Sequence, residues 1–526
     1  MKIVIVGGGS SGWMTAAILA KLYPKFEINV VEDPDTPPIG VGESTYEGIR
    51  HYCSILEIDE KSFFSRTDAS TKIGLQFSGL YDVGDEHKDF LYPFGGANVS
   101  GTLWGMEDWL IKKHLYPETP NSEFVESYFP QALLAKHNRF SKNENKEFDS
   151  FRPTLDTALH FDAIKFGGWL RDYYCIPKGV KLLKNKVIHV SVTENGVENL
   201  KLDDSSILTA DLYIDCTGFK SLLLGEALGE PFKSFNDVLP NNRAWATQLP
   251  YLDKSKELDS VTKCTFIDNG WCWNIPLWSR LGTGYVYSDK FVEPEKALEE
   301  FKKHLTSTKM TVPRTLKDLD SASFVDIKMR VGIHERTWVK NVVAIGLSAG
   351  FIEPLESNGL FTVHNFLYHL VRALERGKVS QWSKDVYNKS TYLEYFGFVE
   401  FIRMHYALSV RTDTEYWKSN FNRSYNFDNY KPMEKDLSHL HNLIIAKTQT
   451  YKTFPVGGVS IISSGLNYPT LDRTPILIGE LNNRMNYKTD LNEKFLHLDL
   501  RRLSWEKEAL KSPTLYEFLK KEYYSD

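Results

Sequence analysis

The residues Lys2-Ile3-Val4-Ile5-Val6 run straight into Gly7-Gly8-Gly9-Ser10-Ser11-Gly12, and this junction constrains the fold more than any other stretch. An unbroken β-branched run describes a strand buried on both faces, as in a parallel sheet covered by helices. Trp13-Met14-Thr15-Ala16-Ala17-Ile18-Leu19-Ala20 has helix-forming composition, and Glu27 to Glu32 supplies a second strand. Gly7-x-Gly9-x-x-Gly12 therefore stands where a dinucleotide fingerprint must stand, between a first strand and a first helix. Gly7 permits the tight turn, Gly9 lets backbone approach a pyrophosphate, and Gly12 allows close helix–strand packing. Gly8, Ser10 and Ser11 complete the loop, and the helix start offers its N–H groups to phosphate. Glu32 closes the second strand, where a carboxylate would accept from ribose hydroxyls.

Charge and composition exclude several function classes. The 526 residues carry 63 basic and 68 acidic side chains, interspersed, so no basic footprint for nucleic acid or an anionic membrane exists. An apolar fraction of 42% with 25% charged residues is that of a folded globular protein. No apolar run reaches the ~20 residues of a membrane helix, and the N-terminal run reads as a strand, not a secretion signal. The five cysteines, Cys53, Cys175, Cys216, Cys264 and Cys272, are scattered and form no CxxC, which fits a reduced, cytoplasmic setting. His439 and His441 form an isolated HxH whose side chains diverge on a helix, so no metal is expected.

Along the chain, Pro34 to Ser44 reads as a loop, and residues 65 to 150 yield no assignment. Val180 to Leu202 alternates as antiparallel strands do, Asp211 to Cys216 is a buried strand, and Cys264 to Ser288 suggests more sheet. Asn341 to Ile345 is a late strand closed by Gly346. Residues 360 to 420 and 490 to 526 have helical texture. The expected organisation is an α/β body, residues 1–365, with an antiparallel substrate-side sheet, followed by a mainly helical subdomain, residues 366–526.

Asp211-Leu212-Tyr213-Ile214-Asp215-Cys216-Thr217-Gly218 and Asn341-Val342-Val343-Ala344-Ile345-Gly346 resemble the returning strands of two-domain FAD monooxygenases. Either alone is an ordinary core strand; with the N-terminal fingerprint they favour FAD, in a Rossmann-like body, over NAD.

Further segments make the resemblance specific. Gly270-Trp271-Cys272-Trp273-Asn274-Ile275-Pro276 carries Trp-x-Trp-x-Ile-Pro. Ile39-Gly40-Val41-Gly42-Glu43-Ser44, Thr71-Lys72-Ile73-Gly74-Leu75-Gln76-Phe77 and Phe351-Ile352-Glu353-Pro354-Leu355-Glu356-Ser357-Asn358-Gly359-Leu360 accompany it, with His405-Tyr406, Arg411-x-Asp413-Thr414 and Tyr416-Trp417. Over about residues 1 to 420 the sequence resembles the flavin-dependent halogenases of the tryptophan halogenase family.

That resemblance implies FAD used as FADH2, O2 and a halide ion (chloride, bromide or iodide). A flavin hydroperoxide would be attacked by halide to give hypohalous acid, which halogenates an electron-rich arene. It implies Lys72 as the catalytic lysine, Glu356 as the active-site glutamate and Ser357 as its link to the flavin side. Halide contacts fall to Asn358 and Gly359, and the wall between flavin and substrate to Trp271, Trp273, Ile275 and Pro276. Gly42, Glu43, Val187, Gly346, Leu347 and Leu360 join the fingerprint as flavin contacts. A lysine guides hypohalous acid by hydrogen bonding or as a haloamine, and either role needs a desolvated amine. Glu356 would stabilise the cationic ring intermediate and help remove its proton.

Two departures stand out. Asn358 replaces a threonine common in tryptophan halogenases, which bears on halide size preference. No aromatic Asn-Trp-Tyr clamp for free tryptophan is found, and Lys452 to Val459 is glycine-rich instead. The substrate expected is therefore a broader indole or phenol-type arene. The alternatives are a tryptophan-specific halogenase, a flavin hydroxylase and a non-catalytic flavoprotein. No second fingerprint for NAD(P)H is present, so a separate NAD(P)H-dependent flavin reductase is expected as partner. A homo-oligomer is left open.

Overall fold

A computed structural model of the chain describes residues 1–36, 40, 42–81, 89–98, 109, 112–113, 115–148, 150–375, 377–425, 456–466 and 487–525. The N-terminal run Lys2–Val6 lies inside a six-stranded sheet ordered Trp338–Val339, Val342–Ala344, Leu212–Asp215, Lys2–Val6, Glu27–Glu32, Lys181–Lys184. All neighbours are parallel except the edge pair Trp338–Val339 with Val342–Ala344. Ile3, Val4 and Ile5 are fully buried, as a strand covered on both faces requires. The helix Ser10–Leu22 that follows is buried continuously from Gly12 to Ala20. Its apolar residues point in all directions because it lies between the sheet and the helices Ala163–Trp169 and Gly359–Glu375.

A seven-stranded sheet forms the second layer, ordered Val325–Lys328, Arg243–Pro250, Arg280–Tyr287, Gly270–Pro276, Val261–Ile267, Gly74–Ser78, Phe90–Pro93. It is antiparallel apart from the pair Val261–Ile267 with Gly74–Ser78. This is the antiparallel sheet expected around Cys264 to Ser288. In a small third sheet Glu43–Ser44 and Ser70–Lys72 both pair antiparallel with the central Ala158–Phe161. His160 stands in register with Ser44 on one side and Ser70 on the other.

The stretch Val180 to Leu202 is not uniformly antiparallel. Lys181–Lys184 joins the six-stranded sheet parallel to Glu27–Glu32, and only Val187–Thr193 and Gly196–Leu202 form an antiparallel hairpin. The physical reason is connectivity. Lys181 follows a long crossover from Glu32, which delivers a strand parallel, whereas a tight turn delivers the hairpin antiparallel.

The C-terminal region is helical where described: Gly359–Glu375, Gln381–Leu408, Glu415–Tyr425, Val456–Gly465, Tyr487–Ala509 and Leu515–Glu522. The first of these runs without a break across residues 365 and 366. Segment 409–417 is pinned to the seven-stranded sheet. Ser409 Oγ donates to Leu80 O at 2.6 Å, and Arg411 donates to Gly79 O at 2.9 Å and Ile267 O at 3.2 Å. Trp417 Nε1 also donates to Ile267 O, at 3.0 Å. Among the described residues no helix is long and apolar enough to cross a membrane.

Candidate active site

The fingerprint glycines divide by what a side chain would meet. A Cβ on Gly7, where φ is +115°, would lie 2.2 Å from Cys216 O, and one on Gly12 would lie 1.9 Å from Gly7 O. Both are excluded by backbone, so these glycines serve packing. Gly9 differs. Its backbone is extended, with φ −77° and ψ −176°, and a Cβ there would meet nothing within 4 Å. Nothing in the fold itself demands glycine at position 9; the space beside it at the helix start is open, as the approach of a pyrophosphate would require.

Of the other expected contacts, Glu32 and Gly346 adjoin the fingerprint directly. Glu32 lies against Gly8 and accepts from Trp13 Nε1 at 3.2 Å and from Arg171 at 3.4 Å. Ser10 Oγ donates to Ala163 O at 3.2 Å, and Gly346 turns tightly against Ser11. Leu347 sits in the short turn Gly346–Ser348. Val187 begins a strand two residues beyond Asn185, whose N–H bonds to Glu32 O at 3.0 Å. The residues present thus suit FAD at the fingerprint end.

Gly42 packs beside Ile275, and Glu43 begins the strand that pairs with Phe161. Burial, with Asp162 nearby, pushes the Glu43 carboxyl up to about 7. Ile39 and Val41 of the same loop lie outside the described residues, as do His439, His441 and Lys452 to Pro455.

Trp271, Trp273 and Ile275 alternate along Gly270–Pro276, so all three face the main core, while Cys272 faces a second core with Phe301 and Tyr285. The two indoles stand 6.2 Å apart. Trp273 fits because its neighbour across the strands is Gly284, where any Cβ would lie 2.2 Å from the indole. Pro276 closes the strand, and its carbonyl accepts from Ser70 Oγ at 2.6 Å.

The catalytic expectations converge on the turn 354–358. Lys72, fully buried, donates to Thr45 O at 2.9 Å and Ser357 Oγ at 2.8 Å, and its Nζ lies 4.7 Å from the centre of the Phe94 ring. Burial lowers its amine to about 7, with Cys264 and Glu356 opposing the shift. Ser357 is held at φ +57° and also bonds Ser44 Oγ at 2.9 Å. Glu356 points the other way, its Oε1 lying 2.6 Å from His405 Nε2.

Asn358 follows, capping the helix Gly359–Glu375 by accepting from Thr362 N at 3.0 Å. Its side-chain amide is buried with no hydrogen-bond partner on either atom among the described residues. A Cβ on Gly359 would meet open space, and Leu360 is buried in the first helical turn. The helix start leaves its first N–H groups without intrahelical acceptors, which suits an anion.

Several residues of this centre carry no signal in the sequence. His405 is legible only as part of a motif, without a role. His160, Thr262 and Ser70 are isolated polar residues within strands, and Glu353 sits in a quoted segment without assignment. Glu353 is fully buried, accepts from Asn241 Nδ2 at 2.6 Å, and is pushed up to about 7 by burial, against the opposing influence of Tyr406, Asn241 and Trp271.

With the geometry in place, comparison with known proteins is informative. The family model described as tryptophan halogenase matches residues 2–434. The tryptophan 6-halogenase SttH of Streptomyces toxytricini is 32% identical over 450 residues, covering 80% of this chain and 81% of its own. The solved apo structure of VirX1 superposes with a TM-score of 0.88 at 36% identity, covering 100% of this chain and 99% of that one. BrvH, a flavin-dependent halogenase from Brevundimonas sp. BAL3, superposes at 0.81 with 28% identity, covering 99% of each chain.

Proposed function

This chain belongs to the tryptophan halogenase family and is a flavin-dependent halogenase, and on that premise we propose that it halogenates an electron-rich indole or phenol-type arene through Lys72 and Glu356. The observation that carries the reading is Lys72, a fully buried amine bonded to Ser357, whose neighbour in the chain is the buried Glu356. Burial holds this amine near neutrality, where both its hydrogen-bonding and its nucleophilic form are accessible. When bound, reduced FAD with O2 supplies the oxidising equivalent that converts halide into hypohalous acid.

In this reading Gly7, Gly8, Gly9, Ser10, Ser11, Gly12 and Glu32 hold the dinucleotide, with Gly42, Glu43, Val187, Gly346, Leu347 and Leu360 around the flavin. Asn358 and Gly359 hold the halide, and Trp271, Trp273, Ile275 and Pro276 keep the arene from the flavin. Lys72 receives hypohalous acid and directs its halogen to a ring carbon, and the oxygen leaves as water. Glu356, hydrogen-bonded to His405, stabilises the cationic ring and takes its proton. Residues 1–365 carry this chemistry and residues 366–526 frame the substrate side. A separate NAD(P)H-dependent reductase supplies FADH2, and the setting is cytoplasmic.

Two features support a broad arene over free tryptophan. Gly457 and Gly458 stand at the start of the helix Val456–Gly465, where small residues enclose little. Buried ammonium and carboxylate groups of a free amino acid would also need partners there. The test is a panel of indoles and phenols with a flavin reductase and each halide, read by mass spectrometry. Halide-dependent incorporation is expected; a hydroxylated product independent of halide would overturn the reading.

A further inference from the structure

Behind Lys72 runs a chain of polar side chains, buried apart from the half-buried Ser44, that continues past the residues the proposed chemistry uses. Ser357 Oγ lies 2.9 Å from Ser44 Oγ, which lies 2.6 Å from Thr262 Oγ1. Thr262 Oγ1 lies 2.8 Å from His160 Nε2, and His160 Nδ1 lies 3.2 Å from Ser70 Oγ. Ser70 in turn donates to Pro276 O at 2.6 Å. The members come from five segments of the fold, and Lys72, His160 and Ser70 have no exposed surface.

The proton on each link can be placed by elimination. A carbonyl oxygen only accepts, so Ser70 spends its proton on Pro276 and must accept from His160 Nδ1–H. Full burial, reinforced by the Lys72 charge, holds the imidazole of His160 neutral. Its Nε2 is then an acceptor and takes the Thr262 hydroxyl proton. Thr262 therefore accepts from Ser44, Ser44 from Ser357, and Ser357 from Lys72. The far end agrees, because an ammonium only donates. One direction satisfies every link.

We propose that His160 is the positioning residue of Lys72, fixing through Thr262, Ser44 and Ser357 a one-way hydrogen-bond chain that orients the amine. Orientation follows from geometry. Two N–H bonds of Lys72 are committed to Thr45 O and Ser357 Oγ. The third tetrahedral position of Nζ is the one left for the oxidant, as N–H in the ammonium and as lone pair in the amine. The titratable groups that act on Lys72 are Cys264 in the strand Val261–Ile267 and Glu356 in the facing turn, and Lys72 itself acts on His160.

The inference rests on the reading of Lys72 as the residue that handles the oxidant, so its test has one arm that needs no turnover. In the full-length protein labelled with 15N-histidine, the His160 signals, assigned by their loss in His160→Gln, should show Nδ1 protonated and Nε2 bare at pH 7. The opposite tautomer or an imidazolium overturns the chain. The second arm uses Thr262→Val, which keeps the β-branched shape of a buried strand residue but removes the link. Ser44 and Ser357 can then reverse, so that Ser357 donates to the amine lone pair, stabilising the amine and turning its nucleophilic pair away from the oxidant's position. Arene product per flavin oxidised should fall at least tenfold, the acidic limb of the pH–rate profile should move to lower pH by half a unit or more, and KM for the arene should hold. Thr262→Ser should restore the wild-type profile. An unchanged profile in Thr262→Val overturns the proposal. Absence of halogenation in the wild type would instead remove the halogenase chemistry and leave the tautomer measurement to decide the chain.

Discussion

His405 Nε2 lies 2.6 Å from Oε1 of Glu356, while its Nδ1 is turned onto the carbonyl oxygen of Phe401 at 2.8 Å. Since that carbonyl only accepts, Nδ1 carries a proton, and the short contact to the carboxyl requires a second one between the two side chains. Imidazole and carboxyl together hold one bridging proton. Glu356 is thus held in place by a residue 49 positions away in the chain.

Glu356→Gln should lower the turnover of arene halogenation by roughly 10²–10³, the usual cost of losing one preorganised electrostatic contact to a transition state. His405→Gln should fall in the same range, and the double variant should be little worse than either single one because the pair acts as a unit. Steady-state kinetics with a flavin reductase measure all three. A loss within twofold for Glu356→Gln would assign it a structural role.

Lys72→Met should retain flavin binding and lose arene product, while hypohalous acid escapes and is caught by an added oxidant trap. The same variant should alter the pH dependence of stability. Burial lowers the native amine to about 7 from its ordinary 10.5, so between these values the unfolded chain binds a proton that the native chain does not. Lys72 therefore makes stability rise with pH across that window, and Lys72→Met should flatten the rise in denaturant titrations.

Gly9→Val separates fold from cofactor. Its backbone angles suit valine and a Cβ there meets no atom within 4 Å, so thermal stability should hold without flavin. Flavin affinity should fall by at least a hundredfold in a fluorescence titration. Unchanged affinity would remove the fingerprint from the reading.

Glu353 should give stability a slope of the opposite sign. Burial raises its native carboxyl from 4.5 to about 7, so in that window the native chain holds a proton that the unfolded chain has released. Its contribution is complete below the lower value and lost as pH rises to the upper one, at most about 3 kcal/mol for a fully buried group. Glu353→Gln should remove that loss while keeping an acceptor for Asn241.

Indole and free tryptophan at equal concentration should compete at least evenly, with halogen on the most electron-rich carbon of indole. Strong preference for tryptophan, with halogen only on the benzo ring, would establish an enclosing clamp for the amino-acid group.

What could be read without the fold differs sharply between the two ends of the site. Gly7 and Gly12 are legible because their constraint is local: a strand, a turn and a helix within a few residues. The late strand Val342–Ala344 is legible for the same reason. Lys72 has no such local signature among many lysines and is found only through the motifs around it. His160, Thr262 and Ser70 are beyond that reach as well, because their meaning arises from register. His160 faces Ser44 and Ser70 across two strand pairs, and Thr262 enters from a different sheet. The parallel placement of Lys181–Lys184 is likewise a matter of where a long connection ends, which four residues cannot encode.

Under the proposed function the two indoles form a barrier, and Gly284 bears on how that barrier can change over time. The room for Trp273 is encoded on the adjacent strand, at a position where any added carbon would strike the ring. A single codon there acts as a remote throttle: it would displace Trp273 without altering the tryptophan motif. Two chains could then share an unbroken Trp-x-Trp-x-Ile-Pro signature and still differ in how Trp273 stands within the proposed barrier.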